Sequence, residues 1–228
     1  MSNTYGLPNI GFVRSVLVVE DDEFIRSLIS GYLVGAGFKV AEAGTAAEAM
    51  NLIRSVDPDA VVIDIDLGQG PTGLDLAKGL NADSNEIGIV FLTNYSDPRF
   101  AGYEADSAKP QAAYLNKHML KSPSVLLDAL NAVLTETNIA SYRFDKRNDR
   151  PMAHLSNAQV QVLRLIAEGR TNQQIAEIRN RSLGATESLI TRTLSALGIS
   201  QAEDLNARVV AAREFLTQIS DTSGDTYT

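Results

Sequence analysis

The sequence predicts two domains: an α/β domain on a five-stranded, doubly wound parallel sheet, then a smaller all-α domain with a helix-turn-helix. Three observations predict this. Short apolar runs, Val16–Val19, Ala60–Ile63 and Ile87–Leu92, recur through the first half. Stretches with helical spacing separate them. After Leu155 the apolar pattern is helical only. Continuous apolar strands joined by helices belong to a parallel sheet covered on both faces.

Each element has a local reason. Val16–Val19 ends in Glu20-Asp21-Asp22, and Asp22–Ala36 then carries Phe24, Ile25, Leu28, Ile29, Tyr32 and Leu33 at helical spacing until Gly37 stops it. Phe38–Ala41 reads as the second strand. Thr45-Ala46-Ala47-Glu48 is a capping box that opens a helix through Val56. Ala60–Ile65 is the third strand, Leu74–Leu80 a helix and Ile87–Leu92 the fourth strand. Asp97-Pro98 sets a cap before a proline at the first helical position, which predicts a fourth helix. Ala113–Leu115 is a short fifth strand, and Pro123–Leu134 closes the series as a helix. The expected boundaries are an N-terminal segment at 1–13, the α/β domain at 14–137, a linker at 138–152, the helical domain at 153–217 and a disordered polar tail at 218–228.

Composition excludes several classes. The chain has no cysteine, so disulfides and thiolate metal sites are ruled out. No run reaches the roughly 20 apolar residues of a membrane span, and the N-terminus lacks a basic start followed by an apolar stretch. The expectation is a cytoplasmic protein with no membrane partner. The net charge of −8 is uneven. Residues 1–137 hold nine Lys and Arg against eighteen Asp and Glu, while residues 138–228 hold eleven against ten. An acidic front half does not suit nucleic acid; the near-neutral back half is compatible with it.

The acids cluster where chemistry is expected. In open parallel sheets ligands sit at the carboxyl ends of the strands. Those ends supply Glu20-Asp21-Asp22, Asp64-Ile65-Asp66, Thr93 and Lys117. Neighbouring strands lie roughly 4.8 Å apart, so the ends can converge. Converging carboxylates repel unless a cation sits among them, and an all-oxygen ligand set selects a hard one, Mg²⁺ being the natural candidate. A hydroxyl and an ammonium nearby suit the oxygens of a phosphoryl group, and a central carboxylate can itself be the nucleophile. Solvated loop acids are the alternative for any single one of these residues.

At VLVVEDD, AVVIDIDL, IVFLTN and AYLNK the sequence resembles the response-regulator receiver family, over about residues 14–137. The resemblance implies a flavodoxin-like receiver with Asp64 as phosphoacceptor. It implies that Asp21 contacts Mg²⁺ directly, Glu20 through water and Asp66 through its backbone carbonyl. Thr93 and Lys117 would hold the phosphoryl group, and Tyr114 falls on the family's aromatic switch position. Three positions depart from the pattern. Asn94 replaces a small residue, His118 replaces the proline that usually accompanies a cis peptide, and the loop Leu67–Gly73 is one residue longer. Asp64-Ile65-Asp66 also resembles the first motif of haloacid-dehalogenase-type phosphatases, although there that motif precedes the other acids.

In the second half, Ser156 with Gln159 and Thr171 with Gln174 are capping boxes. Ser182 caps a third helix, which Gly198 stops, and Ala202–Leu216 is the fourth. A short helix, a turn and a capped third helix have the helix-turn-helix shape. LSNAQVQVLRLIAEGRTNQQIA and IRNRSLGATESLITRTLSALGI resemble the LuxR-type domain of the NarL/FixJ regulators. That resemblance makes Leu183–Leu197 the recognition helix. Glu187, Ser188 and Thr191 fall on groove-facing positions, and Ile190, Leu194 and Leu197 on core-facing ones. Arg170, Arg179, Arg181 and Arg192 are candidates for phosphate contacts.

The expected protein is a non-enzymatic, phosphorylation-dependent transcription regulator of a two-component system. Its partners would be a sensor histidine kinase and double-stranded DNA, and it would form a homodimer when phosphorylated. Two alternatives stand beside it: a receiver with a helical protein- or RNA-interaction module, and a Mg²⁺-dependent aspartyl-phosphate phosphatase.

Overall fold

A computed structural model describes residues 13–82, 87–104, 111–199 and 206–220 of the chain. The expected N-terminal segment lies outside them but for Val13, as does the expected tail from residue 221 on. The chain forms two compact units. One comprises Met1–Thr93 and Ala108–Arg143, the other Asn94–Ser107 and Phe144–Thr228.

The first unit is built on strands β1 (Ser15–Val19), β2 (Lys39–Ala43), β3 (Ala60–Ile63), β4 (Gly88–Thr93) and β5 (Ala113–Asn116). They form one parallel sheet in the order β2-β1-β3-β4-β5. Apolar content sets this order. β3, β5 and all of β4 beyond Gly88 are buried, whereas β2, at one edge, is exposed or half-buried except at Ala43. Each fully buried Val, Leu or Ile contributes roughly 1.5–3 kcal/mol, so the central strands are the most costly to displace. Helices α1 (Glu23–Gly35), α2 (Ala46–Val56), α3 (Gly73–Ala82) and α4 (Ser124–Leu134) belong to the same unit.

Three local expectations change. Asp22 is the N-cap of α1 and not its first residue; its carboxylate accepts from the Phe24 and Ile25 amides at 2.9 and 3.0 Å. Thr45 caps α2 as expected, but Glu48 reaches one residue further back, to the Gly44 amide at 2.8 Å. Asp97-Pro98 opens only a 3₁₀ turn, Pro98–Ala101, which Gly102 ends at φ +89°. The cap is real: the Asp97 side chain accepts from the Arg99 amide at 2.9 Å. The turn stops there: the Gly102 amide donates to the Arg99 carbonyl at 3.1 Å and the Tyr103 amide to the Pro98 carbonyl at 3.2 Å.

Among the described residues, the second unit packs four α-helices, α5 (Asn157–Ala167), α6 (Asn172–Ile178), α7 (Leu183–Ala196) and α8 (Ala207–Ser220). The fourth begins later than the sequence suggested, and residues 202–205 lie outside the described residues. α5 is central. It sends Val160 and Leu163 into one apolar cluster with Phe100, Leu155, Ile199 and Phe215. It sends Val162, Leu165 and Ile166 into another with Ile175, Leu189 and Ile190. Both capping boxes form, with side chain and backbone exchanged at Ser156/Gln159 and at Thr171/Gln174. Ser182 caps α7 through the Ala185 amide at 3.3 Å.

The Ser156 box fixes where the central helix starts. Ser156→Ala should therefore lower the opening free energy of α5 by about 1 kcal/mol, read as faster amide exchange over Val160–Leu165. Unchanged exchange would show that packing alone sets the start of α5.

Candidate functional site

The strand register gathers the site at the carboxyl edge of the sheet. Val19 pairs with Ile63, so Glu20 and Asp64 leave β1 and β3 side by side. The Asp64 amide donates to the Val19 carbonyl at 2.9 Å and ties the two ends together. Thr93 ends β4 opposite Asn116 of β5, and Lys117 follows directly. The Lys117 ammonium then reaches back to Asp64 Oδ2 and Glu20 Oε2, each at 2.7 Å. Carboxylate oxygens of Glu20, Asp21 and Asp64 all lie within 4.8 Å of one another. Glu20, Asp64 and Thr93 are buried, and Asp21 faces solvent.

Glu20 and Asp64 share the Lys117 ammonium, and the balance shows in the acidities of Glu20 and Lys117. Burial pushes the Glu20 pKa up to about 7; Lys117 opposes this, while Asp64 and Asp21 add to it. Burial alone would lower the Lys117 pKa, but Asp64 and Glu20 outweigh it and hold the ammonium above its ordinary value. The site thus gathers three carboxylates near one ammonium and is open to solvent at Asp21. An oxygen-only set of this kind fits a hard divalent cation.

The other predicted residues are placed as follows. Asp66 is exposed, outside the three-acid group; it accepts from the Gly68 amide at 3.4 Å, while its own amide donates to Asp64 Oδ1 at 3.2 Å. Tyr114 is fully buried, its ring centroid 5.9 Å from that of Phe91. His118 follows Lys117 through a trans peptide, and its amide donates to Asn116 Oδ1 at 3.0 Å. An Asx-type contact therefore shapes this turn where the family pattern has a proline.

Two contributors escaped sequence reasoning. Arg26 of α1 donates to the Glu20 carbonyl at 2.6 Å and lies 3.5 Å from Glu42, which steadies the loop that carries the acids. Its signal was available: a lone basic residue on the first turns of a helix that follows an acid cluster. Gly73 is the second. A Cβ there would meet the Asp64 carbonyl oxygen at 2.0 Å, so only glycine lets the loop after Asp64 return this closely.

In the helical unit, Arg181, Glu187, Ser188, Thr191 and Arg192 are exposed, and Arg179 is half-buried beside Gln161, to which it donates at 3.0 Å. Ser188 and Thr191 donate to the carbonyls of Gly184 and Glu187 at 2.9 and 3.0 Å, so both hydroxyls lie along α7. On the opposite face Ile190 is buried and Leu194 and Leu197 are partly so. Leu189, Thr186 and Thr193 are buried as well.

A doubly wound parallel sheet with buried acids and a bridging lysine at its carboxyl edge defines a receiver domain. A model of the response regulator receiver domain matches residues 16–129, half of the chain. The chain belongs to this response regulator family. The nitrate/nitrite response regulator protein NarP of Escherichia coli is 29% identical over 216 residues, covering 89% of this chain and 94% of that protein. The DNA-binding transcriptional activator DevR/DosR of Mycobacterium tuberculosis is 26% identical over 195 residues, covering 82% and 89%. Among solved structures, promoter-bound RcsB of Salmonella enterica with phosphomimetic BeF₃⁻ shares the fold at a TM-score of 0.56 and 20% identity, over 92% of this chain and all of that one.

Two predictions follow from the geometry. Glu20 keeps its proton in the folded chain at pH values where the unfolded chain has lost it. Between the ordinary value of 4.5 and about 7, the folded state binds more protons, so metal-free stability should fall as pH rises through that window. Glu20→Gln should flatten that fall in urea titrations run with chelator; equal slopes in both proteins would contradict it. Gly73→Ala should cost at least about 1–3 kcal/mol through overpacking, measured by urea unfolding.

Proposed function

We propose that this chain is a DNA-binding response regulator of a two-component system, switched by phosphorylation of Asp64. One observation carries the reading: Asp64, buried at the end of the central strand, is hydrogen-bonded by Lys117 together with Glu20. A carboxylate so placed attacks the phosphorus of a phosphohistidine on a sensor kinase. An O–P bond forms at Asp64, the N–P bond breaks, and its electron pair stays on the histidine nitrogen. Lys117 offsets the charge that arrives, and the Thr93 hydroxyl donates to a phosphoryl oxygen. Glu20, Asp21 and Asp64 would hold Mg²⁺, with Asp66 lending its backbone carbonyl. When bound, the ion neutralises charge on the transferring group. Tyr114, on the strand that Lys117 directly follows, would move with Lys117 when the phosphoryl group arrives.

α7 supplies the groove-facing residues Glu187, Ser188 and Thr191, with Arg179, Arg181 and Arg192 on phosphates. The NarP and DevR/DosR names support this transcriptional role, as does the helix-turn-helix arrangement of α6 and α7. The phosphorylated form would act as a homodimer. The regulator would work in the cytoplasm, and it turns over no external substrate. One observation favours a second reading, a protein-interaction module: Arg192 is the single basic residue of α7. Low salt should therefore be needed to detect DNA binding.

With Mg²⁺ and acetyl phosphate, the intact wild-type protein should gain one phosphoryl group by mass and Asp64→Asn none. Equal labelling of both proteins would remove Asp64 from its role. Thr191→Ala should weaken specific DNA binding more than non-specific binding. Arg181→Ala should weaken both alike and reduce the salt slope by about 1. No DNA retention by the full chain at low salt would favour the interaction module.

A further inference from the structure

Thr93 belongs to the sheet unit, but the next residue does not. The chain leaves β4 at Thr93, and Asn94–Ser107 is part of the helical unit. Its described portion, 94–104, is built into that unit's interior. Phe100 is 2% exposed and packs edge-on against Phe215, centroids 5.5 Å apart. Arg99 and Asp97 are both almost completely buried. Arg99 Nε lies 2.9 Å from each Asp97 oxygen, and Nη2 lies 2.6 Å from Oδ2. The same guanidinium donates to the Met152 carbonyl at 3.2 Å and to the Leu155 carbonyl. Arg150 closes the group with its Nε 2.9 Å from Asp97 Oδ2. Further along, Gly102 at φ +89° passes so close to Arg164 that a Cβ would lie 3.4 Å from the guanidinium carbon, and Asn157 donates to Glu104.

An ion group buried this deeply is weak evidence of stability, because withdrawing charges from water is costly and apolar residues of similar size would often serve as well. What the pair does provide is a fixed orientation. Arg99 ties the Asp97 turn to two carbonyls immediately before α5, the central helix of the unit. Only Asn94, Tyr95 and Ser96 separate Thr93 from Asp97. Four extended steps span at most roughly 14 Å, so Thr93 and Asp97 are held within that reach of each other by the covalent chain.

We infer that residues 94–104 form a strap that carries the state of Asp64 directly into the core of the helical unit, with Asp97, Arg99 and Arg150 as its lock. This rests on the phosphorylation reading above. When Thr93 turns toward a phosphoryl group on Asp64, the strap pulls on the Asp97–Arg99 lock and so on the Met152–Leu155 entry to α5. Signal transfer then runs through the covalent chain and a buried salt bridge, within the unit that reads DNA. A strap of this kind transmits only if the two states of the helical unit differ in free energy, and typical couplings amount to about 5–150-fold.

The test uses the full chain with Mg²⁺ and acetyl phosphate. Mass spectrometry reads labelling, and amide hydrogen exchange reads the segment 150–163. Wild type should label and should change its exchange over 150–163 by roughly fivefold or more. A Gly-Ser insertion between Asn94 and Tyr95 should label equally, because the site is untouched, yet lose that change. Arg150→Gln removes only the partly exposed member of the lock; it should label normally and exchange faster over 150–163 before phosphorylation. The strap is overturned if wild type labels without any change in that segment, or if the insertion keeps the full change. It is also overturned if Arg150→Gln leaves unphosphorylated exchange as in wild type. An unlabelled wild type would instead defeat the phosphorylation reading and the strap with it.

Discussion

One ammonium group holds the chemistry of this molecule together. Lys117 stands 2.7 Å from Asp64 and from Glu20, and it comes from β5, with β4 lying between β5 and β3. Without it, buried carboxylates from two adjacent strands would confront each other in a medium of low dielectric constant, and at least one would take up a proton. The parallel register is what makes the bridge possible. A one-residue slip of β5 would turn Lys117 to the other face of the sheet. The apolar strands, the Arg26 contact to the Glu20 carbonyl and the return loop at Gly73 are all supports for this arrangement. Even with the bridge, burial keeps the Glu20 pKa at about 7, and the neighbouring Asp64 and Asp21 add to the rise.

Much of this was legible in the sequence because the signals are local or periodic. Continuous apolar runs marked the strands, and the acids, Thr93 and Lys117 stood at their ends. The boxes at Ser156 and Thr171 formed as their residue types require, because a cap depends on four consecutive residues. The residues that escaped depend on distant partners. Gly73 looks like any loop glycine until Asp64 is placed beneath it. Arg26 reads as a solvated helix residue until β2 brings Glu42 alongside. Asp97-Pro98 is a sound helix start by propensity, and the start does occur. Yet Arg99 and Phe100 gain more from the Asp97 carboxylate and the Phe215 ring than from a further helical turn, a case of tertiary context overriding propensity. The grouping of Asn94–Ser107 with the helical unit follows from the same contacts, and no pattern within the segment announces it.

The helical unit carries a different balance of forces. Its apolar clusters and capping boxes define α5, α6 and α7 securely, but its exposed α7 face is sparsely charged. Arg181, Glu187 and Arg192 are all exposed, and Arg192 is the single basic residue of α7.

The central claim is that Asp64, held by Lys117 among the strand-end acids, is where the phosphoryl group is received. Fluorine NMR of the full chain with Mg²⁺ and beryllofluoride, a phosphoryl mimic, tests it most directly. The wild-type protein should show a bound resonance distinct from the free fluoride species. That resonance should vanish in Asp64→Asn and weaken in Lys117→Ala. A bound signal that persists unchanged in Asp64→Asn would contradict the account, since the mimic would then be held somewhere other than the end of β3.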